Sequence, residues 1–377
     1  MPIKNDPLNA HSLKNDSFIR ALRRQPTPHV PIWLMRQAGR YLPEYRATRG
    51  RAGSFMALAK TPELACEVTL QPLARYDLDA AILFSDILTI PDAMGLGLEF
   101  HEGEGPRFQR KIESAADVEA LPDYQAIDKL GYVGDAVSLI QRELDRKVPL
   151  IGFSGAPWTL MCYMLEGGGS KDFARAKKFL FHESAASHVL LGKLARSVSR
   201  YLRMQALAGA DVLMLFDSWA GLLAPYEFDE YCLRYLRYII SDLQSDNVTR
   251  DLPLIVFAKG ANAHHHSIAK LGCAALGLDW TQKISVVRQQ TQQMVALQGN
   301  LDPTVLYGSE AQIRFQTLML LQDAGRDAGH IFNLGHGMNP DMKPDNVKIL
   351  VDAVHEFSIA MRAGEHMGPS IAYEPLV

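Results

Sequence analysis

Eight short apolar runs, spread around the whole chain and bounded by turn residues, constrain the fold more than any other feature. They are Pro31–Met35, Ala80–Phe84, Pro149–Phe153, Val212–Phe216, Leu254–Ala258, Ala274–Leu278, Met294–Gln298 and His330–Leu334. Most are continuously hydrophobic rather than alternating, which is the pattern of parallel strands covered on their outer face. Helical periodicity fills most of the gaps. Thr61–Pro62–Glu63 reads as N-cap, first-turn proline and first-turn acid. Phe228, Tyr231, Cys232, Tyr235 and Leu236 recur at helix spacing, as do Val347, Leu350, Val351, Val354 and Phe357. Strands alternating with helices predict an α/β chain folded as a single (β/α)8 TIM barrel over 1–377, with 1–16 and 364–377 as flexible tails. A doubly wound sheet is the alternative, but no G-x-G-x-x-G follows the first strand. Residues 95–110 read as a small hairpin or lid inserted after the second strand. The stretch from Gly167 to Asp172 reads as a glycine-rich loop after the third.

An apolar fraction of 47% and a charged fraction of 21% suit a globular protein. A net charge of −3 argues against a nucleic-acid partner, which would require a basic stripe. It also means that an anionic substrate must be drawn in by clustered arginines rather than by the overall field. Cys66, Cys162, Cys232 and Cys273 are scattered without a C-x-x-C pair, as buried thiols in a reducing compartment would be. No segment approaches ~18 continuous apolar residues, so no membrane span is expected. The polar stretch Met1 to Asp16 lacks an apolar signal region and carries acids that a transit peptide avoids. Cytoplasm is the expected location.

In a barrel, the chemistry sits at the C-terminal ends of the strands. Polar residues follow every run here. Arg36 and Arg40 flank the turn Arg36–Gln37–Ala38–Gly39–Arg40 after the first, Ser85 and Asp86 follow the second, and Ser154, Trp158 and Tyr163 the third. Asp217 and Ser218 follow the fourth, Lys259 and Asn262 the fifth, Asp279 and Trp280 the sixth, and Asn300 and Asp302 the seventh. His336, between Gly335 and Gly337, follows the eighth. Each has a plainer reading: rim ion pairs for the arginines, a helix cap for Asp86, a core tyrosine for Tyr163, a turn for Ser218. The two glycines beside His336 imply a close backbone approach. His264–His265–His266 reads as a polar first helical turn, because adjacent helical positions point in different directions. Lys259 could form a Schiff base, and Gly167–Gly168–Gly169 could hold an anion, but a flexible lid suits the glycines better.

The segment from Pro31 to Arg46, PIWLMRQAGRYLPEYR, resembles the N-terminal signature of the uroporphyrinogen decarboxylase family. The segment from Gly152 to Tyr163, GFSGAPWTLMCY, resembles its second signature. Phe84–Leu88, Phe216–Gly221 and Asn333–Gly337 match further family blocks in order. The similarity runs from about Asn15 to about Met361. It implies a (β/α)8 barrel, a homodimer, and no metal or organic cofactor. The implied reaction removes carbon dioxide from the four acetate arms of uroporphyrinogen III, giving coproporphyrinogen III in haem biosynthesis. The implied substrate-binding residues are Arg36, Gln37, Ala38, Gly39, Arg40, Asp86, Tyr163, Ser218 and His336. Neither the histidine triplet nor the tail after Gly364 matches a family pattern.

Arginine makes bidentate, planar contacts with carboxylates that lysine does not match. Arg36 and Arg40 therefore suit a substrate with eight carboxylates. Asp86 is the candidate for stabilising a cationic pyrrole in the transition state, and Arg36 for holding the reacting arm. A corrinoid-dependent methyltransferase of the same barrel type, or a non-catalytic tetrapyrrole carrier, is the alternative.

Overall fold

The computed structural model describes residues 13–101 and 105–365. Its strands are β1 (Ala81–Ile82), β2 (Leu98–His101), β3 (Gly105–Phe108), β4 (Leu150–Gly155), β5 (Val212–Asp217), β6 (Leu254–Ala258), β7 (Ala275–Gly277), β8 (Ala296–Gln298) and β9 (His330–Ile331). Seven of them form one curled parallel sheet in the order β1-β4-β5-β6-β7-β8-β9. Every residue of β4 and of β6 is buried, which is why those runs carry no polar alternation. The helices Pro157–Glu166, Ser184–Ala208 and Pro344–Ala363 lie in the connections, and Trp158, Leu194 and Leu350 are buried from their inward faces.

The run Pro31–Met35 was expected to be a full strand, and here it is a single parallel bridge between Ile32 and Phe332. The reason is where its donors go. Pro31 has no N–H. The Ile32 N–H donates to Asp79 Oδ2 at 2.8 Å, that of Leu34 to Gln37 Oε1 at 3.1 Å, and that of Met35 to Asn333 Oδ1 at 3.0 Å. Side chains have replaced most of the ladder. The segment still meets both edges of the sheet: Phe332 N–H donates to Pro31 O, and Asp79 N–H to Ile32 O, each at 2.8 Å.

Asp79 therefore does for this segment what a neighbouring strand does elsewhere. It is buried, and its carboxylate also accepts from Asn15 Nδ2 at 2.8 Å, His29 Nε2 at 2.8 Å and His355 Nε2 at 3.0 Å. Burial alone would raise its pKa, but the two imidazoles outweigh it and hold the carboxyl well below its ordinary value. The same pairing raises the pKa of His355, against its own burial and with help from Asp77 and Asp352. The Asp79 contribution is thus present above the unfolded carboxyl value of ~3.9 and fades as pH falls below it. The His355 contribution is complete below ~6.5 and is lost as pH rises through its raised value. Urea unfolding across pH is expected to show this clamp strongest between about pH 4 and 6.5. Asp79→Asn should cost roughly 3 kcal/mol there, and an unchanged urea midpoint would remove the clamp.

The helical expectations hold with one exception. Phe228, Tyr231, Cys232, Tyr235 and Leu236 are all buried, as are Val347, Leu350, Val351, Val354 and Phe357. Pro62 opens the helix Pro62–Arg75 as expected, but Thr61 does not cap it. Its hydroxyl donates instead to Ala57 O at 2.7 Å, closing the preceding helix.

The segment at 95–110 contains an antiparallel ribbon, with Leu98 opposite Phe108 and Glu99 opposite Arg107. The glycine-rich stretch is not a free loop at its start. Gly167 takes φ +82° after the helix Pro157–Glu166, and its carbonyl accepts the Phe108 N–H at 2.9 Å. Gly168 bridges Arg107, and a Cβ there would stand 3.2 Å from Pro106 O. All four cysteines are free and buried. Among the described residues, no helix is long and apolar enough to cross a membrane. The tails expected at either end fall mostly outside the described residues, although Lys14 and Asn15 donate backbone hydrogen bonds to Arg146 O and Lys147 O.

Candidate active site

The turn after the bridge at Ile32 is built to present arginine. Gln37 is buried and its side chain is fully spent: Oε1 accepts from Leu34 N, and Nε2 donates to Ala80 O at 3.2 Å. Gln37 N–H donates to Leu34 O, and its carbonyl accepts the Tyr41 hydroxyl. The Gln37 side chain thus pins the turn to the strand at Ala80. With the turn fixed, Arg36 takes the left-handed φ of +61° and stands exposed. Arg40 is exposed too. Among the described residues neither guanidinium makes an ion pair, and the N–H groups of Ala38, Gly39 and Arg40 have no protein acceptor. Two cations beside three free N–H donors make an anion-binding surface.

Asp86 follows β1. Its Oδ1 accepts the Leu88 N–H at 2.8 Å, so the capping reading holds for that oxygen. The other oxygen makes no hydrogen bond among the described residues and remains available. The residue is partly open to solvent, while its carboxyl group is enclosed by protein atoms. Burial pushes its carboxyl up to about 6, against the lowering pull of the Leu88 N–H and of Arg36.

Tyr163, on the helix Pro157–Glu166, packs edge-on against Phe173 and Trp219 at ring distances of 5.7 and 6.2 Å. Burial raises its pKa, with nearby Asp86 adding to the shift, so it remains a phenol donor at neutral pH. Ser218 is partly exposed and its hydroxyl has no partner among the described residues. His336 is driven down to about 4, first by burial and then by Lys259 and Arg36. It is a neutral imidazole at pH 7, a hydrogen-bonding group rather than a proton donor. Electrostatic coupling thus links Arg36, Asp86, Tyr163 and His336 at one end of the sheet.

The glycines around His336 explain themselves. A Cβ at Gly335 would lie 2.6 Å from Trp280 N, and one at Gly337 would lie 2.4 Å from Arg36 Cδ. Gly337→Ala needs no unusual backbone, so the flexible Arg36 side chain must give way instead. The expected result is a several-fold rise in KM with a nearly unchanged melting temperature. A normal KM would mean that the position of Arg36 is unimportant.

Other expected ring members serve the scaffold. Asp279 accepts from Gly260 N at 2.6 Å and from Thr281 N and Oγ1, which together outweigh its burial and lower its pKa. Asn300 Nδ2 donates to the carbonyls of Asp279 and Gln282. Asp302 caps the short helix Pro303–Tyr307, and Asn262 donates to Thr281 Oγ1. Lys259 lies over the Trp280 ring at 5.7 Å, adding a third cation near His336.

The histidine triplet diverges. His264 stacks on Phe228 at 3.8 Å, His265 is buried, and His266 Nδ1 meets Gln290 O at 2.9 Å. One residue without an assigned role is better placed than its sequence suggested. Buried Asp217 accepts from Thr159 Oγ1 at 2.6 Å and Cys232 Sγ at 3.1 Å, and burial lifts it to about 6. Thr159 Oγ1 in turn accepts the Trp219 N–H at 3.1 Å, which fixes the turn carrying Ser218. Only its position after a strand hinted at this.

The model of the family described as uroporphyrinogen decarboxylase (URO-D) matches residues 13–357. The chain belongs to the uroporphyrinogen decarboxylase family. It is 56% identical over 347 residues to the uroporphyrinogen decarboxylase of Pseudomonas syringae pv. tomato, covering 92% of this chain and 98% of that protein. It is 55% identical over 346 residues to that of Thioalkalivibrio sulfidiphilus, covering 92% and 99%. A solved methyltransferase from Methanosarcina mazei superposes with a TM-score of 0.77 at 19% identity, over 92% of this chain and 99% of that one. At that identity the likeness concerns the fold alone. Membership in the uroporphyrinogen decarboxylase family makes this chain a decarboxylase, a carboxy-lyase of porphyrin and haem biosynthesis.

Proposed function

We propose that the chain removes carbon dioxide from the four acetate arms of uroporphyrinogen III, giving coproporphyrinogen III, with no metal or organic cofactor in the reaction. The observation that carries this reading is the pairing of an unengaged Arg36–Arg40 anion surface with a single free oxygen of Asp86. Arg36, Arg40 and the N–H groups of Ala38, Gly39 and Arg40 hold carboxylates of the substrate. Tyr163, Ser218 and His336 donate neutral hydrogen bonds to others.

The electron sink is the substrate. Protonation of the pyrrole carbon beside an acetate arm makes the ring an iminium-like cation. The C–CO2⁻ bond breaks, its electron pair passes into the ring, and carbon dioxide leaves. A second proton converts the exocyclic methylene to a methyl, and the ring proton departs. Each arm therefore consumes one proton net. Asp86, ionised above about pH 6, stabilises the cation more than the neutral ring, which is what lowers a barrier. A neutral His336 is not the acid for this step.

We further read the curled sheet as a closed (β/α)8 barrel forming one domain, with Pro31–Met35 as its eighth stave. In this reading the β2–β3 ribbon covers the site end, the protein works in the cytoplasm, and two copies form a homodimer. The free donors at 36–40 favour catalysis over a methyl transfer that needs a corrinoid, and Asp86 favours it over simple carriage. Anaerobic incubation with uroporphyrinogen III in the presence of EDTA, followed by oxidation and chromatography, should yield porphyrins with seven to four carboxyls. Recovery of the octacarboxylate alone would overturn the reading.

A further inference from the structure

At the opposite end of the sheet from the arginine turn, three distant residues converge. His29 precedes the bridge at Ile32, Asp79 precedes β1, and His355 lies on the helix Pro344–Ala363. We propose that His29, Asp79 and His355 form a binding site for a divalent cation of the zinc class, separate from the decarboxylation site.

The geometry has four parts. One ligand atom from each of His29, Asp79 and His355 can be chosen so that all three lie within 4.8 Å of one another. Each imidazole addresses a different oxygen, His29 at Oδ1 and His355 at Oδ2, at 2.8 and 3.0 Å. The rings pack at 4.4 Å with an interplanar angle of 62°, so the two nitrogens approach the carboxylate from different directions. Zinc prefers ligand distances near ~2.0–2.2 Å and tetrahedral angles, which place its donors roughly 3.3 Å apart; the two imidazole-to-carboxylate distances of 2.8 and 3.0 Å would have to open slightly to admit it.

The surroundings are those of a ligand set. The Asp79 carboxylate is held by the Ile32 N–H and by Asn15 Nδ2, neither of which a cation displaces. His355 Nδ1 faces Asp77 at 3.8 Å. A liganding histidine commonly donates its other ring N–H to a carboxylate, which fixes the tautomer. Binding moves the proton of each neutral ring from Nε2 to Nδ1, and a cationic ring releases one. Both histidine side chains are 17% exposed while Asp79 is 1% exposed, so the fourth position opens toward water. Two imidazoles and one carboxylate suit zinc, nickel or copper, whereas magnesium and calcium prefer oxygen alone. The site joins the N-terminal segment, the bridge segment and the last long helix, so a bound cation would fasten the same three parts that Asp79 already clamps.

Zinc chloride titrated calorimetrically into the EDTA-treated, dialysed full chain should report one equivalent bound. His29→Gln and His355→Gln should each weaken it at least tenfold, since even an outer-shell loss costs about 10–100-fold. The double variant His264→Gln/His266→Gln should bind as the parent does, magnesium chloride should give no heat, and decarboxylase turnover should be unchanged in His29→Gln. Should either single variant fail to fold, cobalt(II) on the parent chain gives the independent reading, with visible bands of a four-coordinate nitrogen and oxygen site expected. No stoichiometric binding, no cobalt bands, parental affinity in His29→Gln or in His355→Gln, or loss of binding in the triplet variant would each overturn the site.

Discussion

Asp86→Asn is expected to lower kcat by about a thousandfold while leaving the fold and most substrate affinity intact. The substitution preserves shape and can still accept the Leu88 N–H, but it removes the negative charge. One charge pair at ~4 Å and an effective dielectric near 20 is worth roughly 4 kcal/mol, which is about three powers of ten in rate. The desolvation that lifts Asp86 to about 6 also keeps the dielectric low where the cation develops. Single-turnover kinetics check this directly. Near-normal chemistry in the variant would reduce Asp86 to the cap that its Oδ1 already makes.

Arg36→Met should raise KM by about 10- to 150-fold, the equivalent of one lost charge-assisted hydrogen-bonding partner at ~1.5–3 kcal/mol. Methionine keeps the bulk that rests against Gly337 and loses only the charge and the fork of donors. A second effect follows from the same residue. Arg36 lowers the Asp86 pKa, so without it the carboxyl should titrate higher and kcat at neutral pH should fall as well. Steady-state kinetics at pH 7 and 8 separate the two: the KM change persists at the higher pH, whereas the kcat loss shrinks. An unaltered KM would remove the arginine from substrate binding.

Much of this site was legible because its parts are local. The turn from Arg36 to Arg40 announces itself within five residues, and Asp86, Ser218 and His336 each follow an apolar run directly. The flanking glycines of His336 signalled close approach, although only the fold shows that Trp280 and Arg36 are what approach. The scaffold role of Gln37 was not legible, for a physical reason. Its neighbours point outward, but its own side chain turns into the sheet and spends both polar atoms there. Asp279, Asn300 and Asp302 misled similarly, since short polar side chains after strands satisfy nearby backbone as readily as they bind ligands. Strand 31–35 was overread because apolar character says nothing about which groups take its N–H donors. Asp79 with His29 and His355 left no trace, since residues so far apart in sequence carry no spacing to recognise.

An ionised Asp86 beside the arginine turn drives loss of carbon dioxide. The rate of the first decarboxylation under single-turnover conditions, measured from pH 5 to 7.5, tests it most directly. Because the folded carboxyl titrates near 6, the active form is present above that value and lost as pH falls through it. The predicted result is a rate that rises tenfold per pH unit at the acid end and levels above about 6. A rate independent of pH across that range would mean that the Asp86 charge does not drive the reaction.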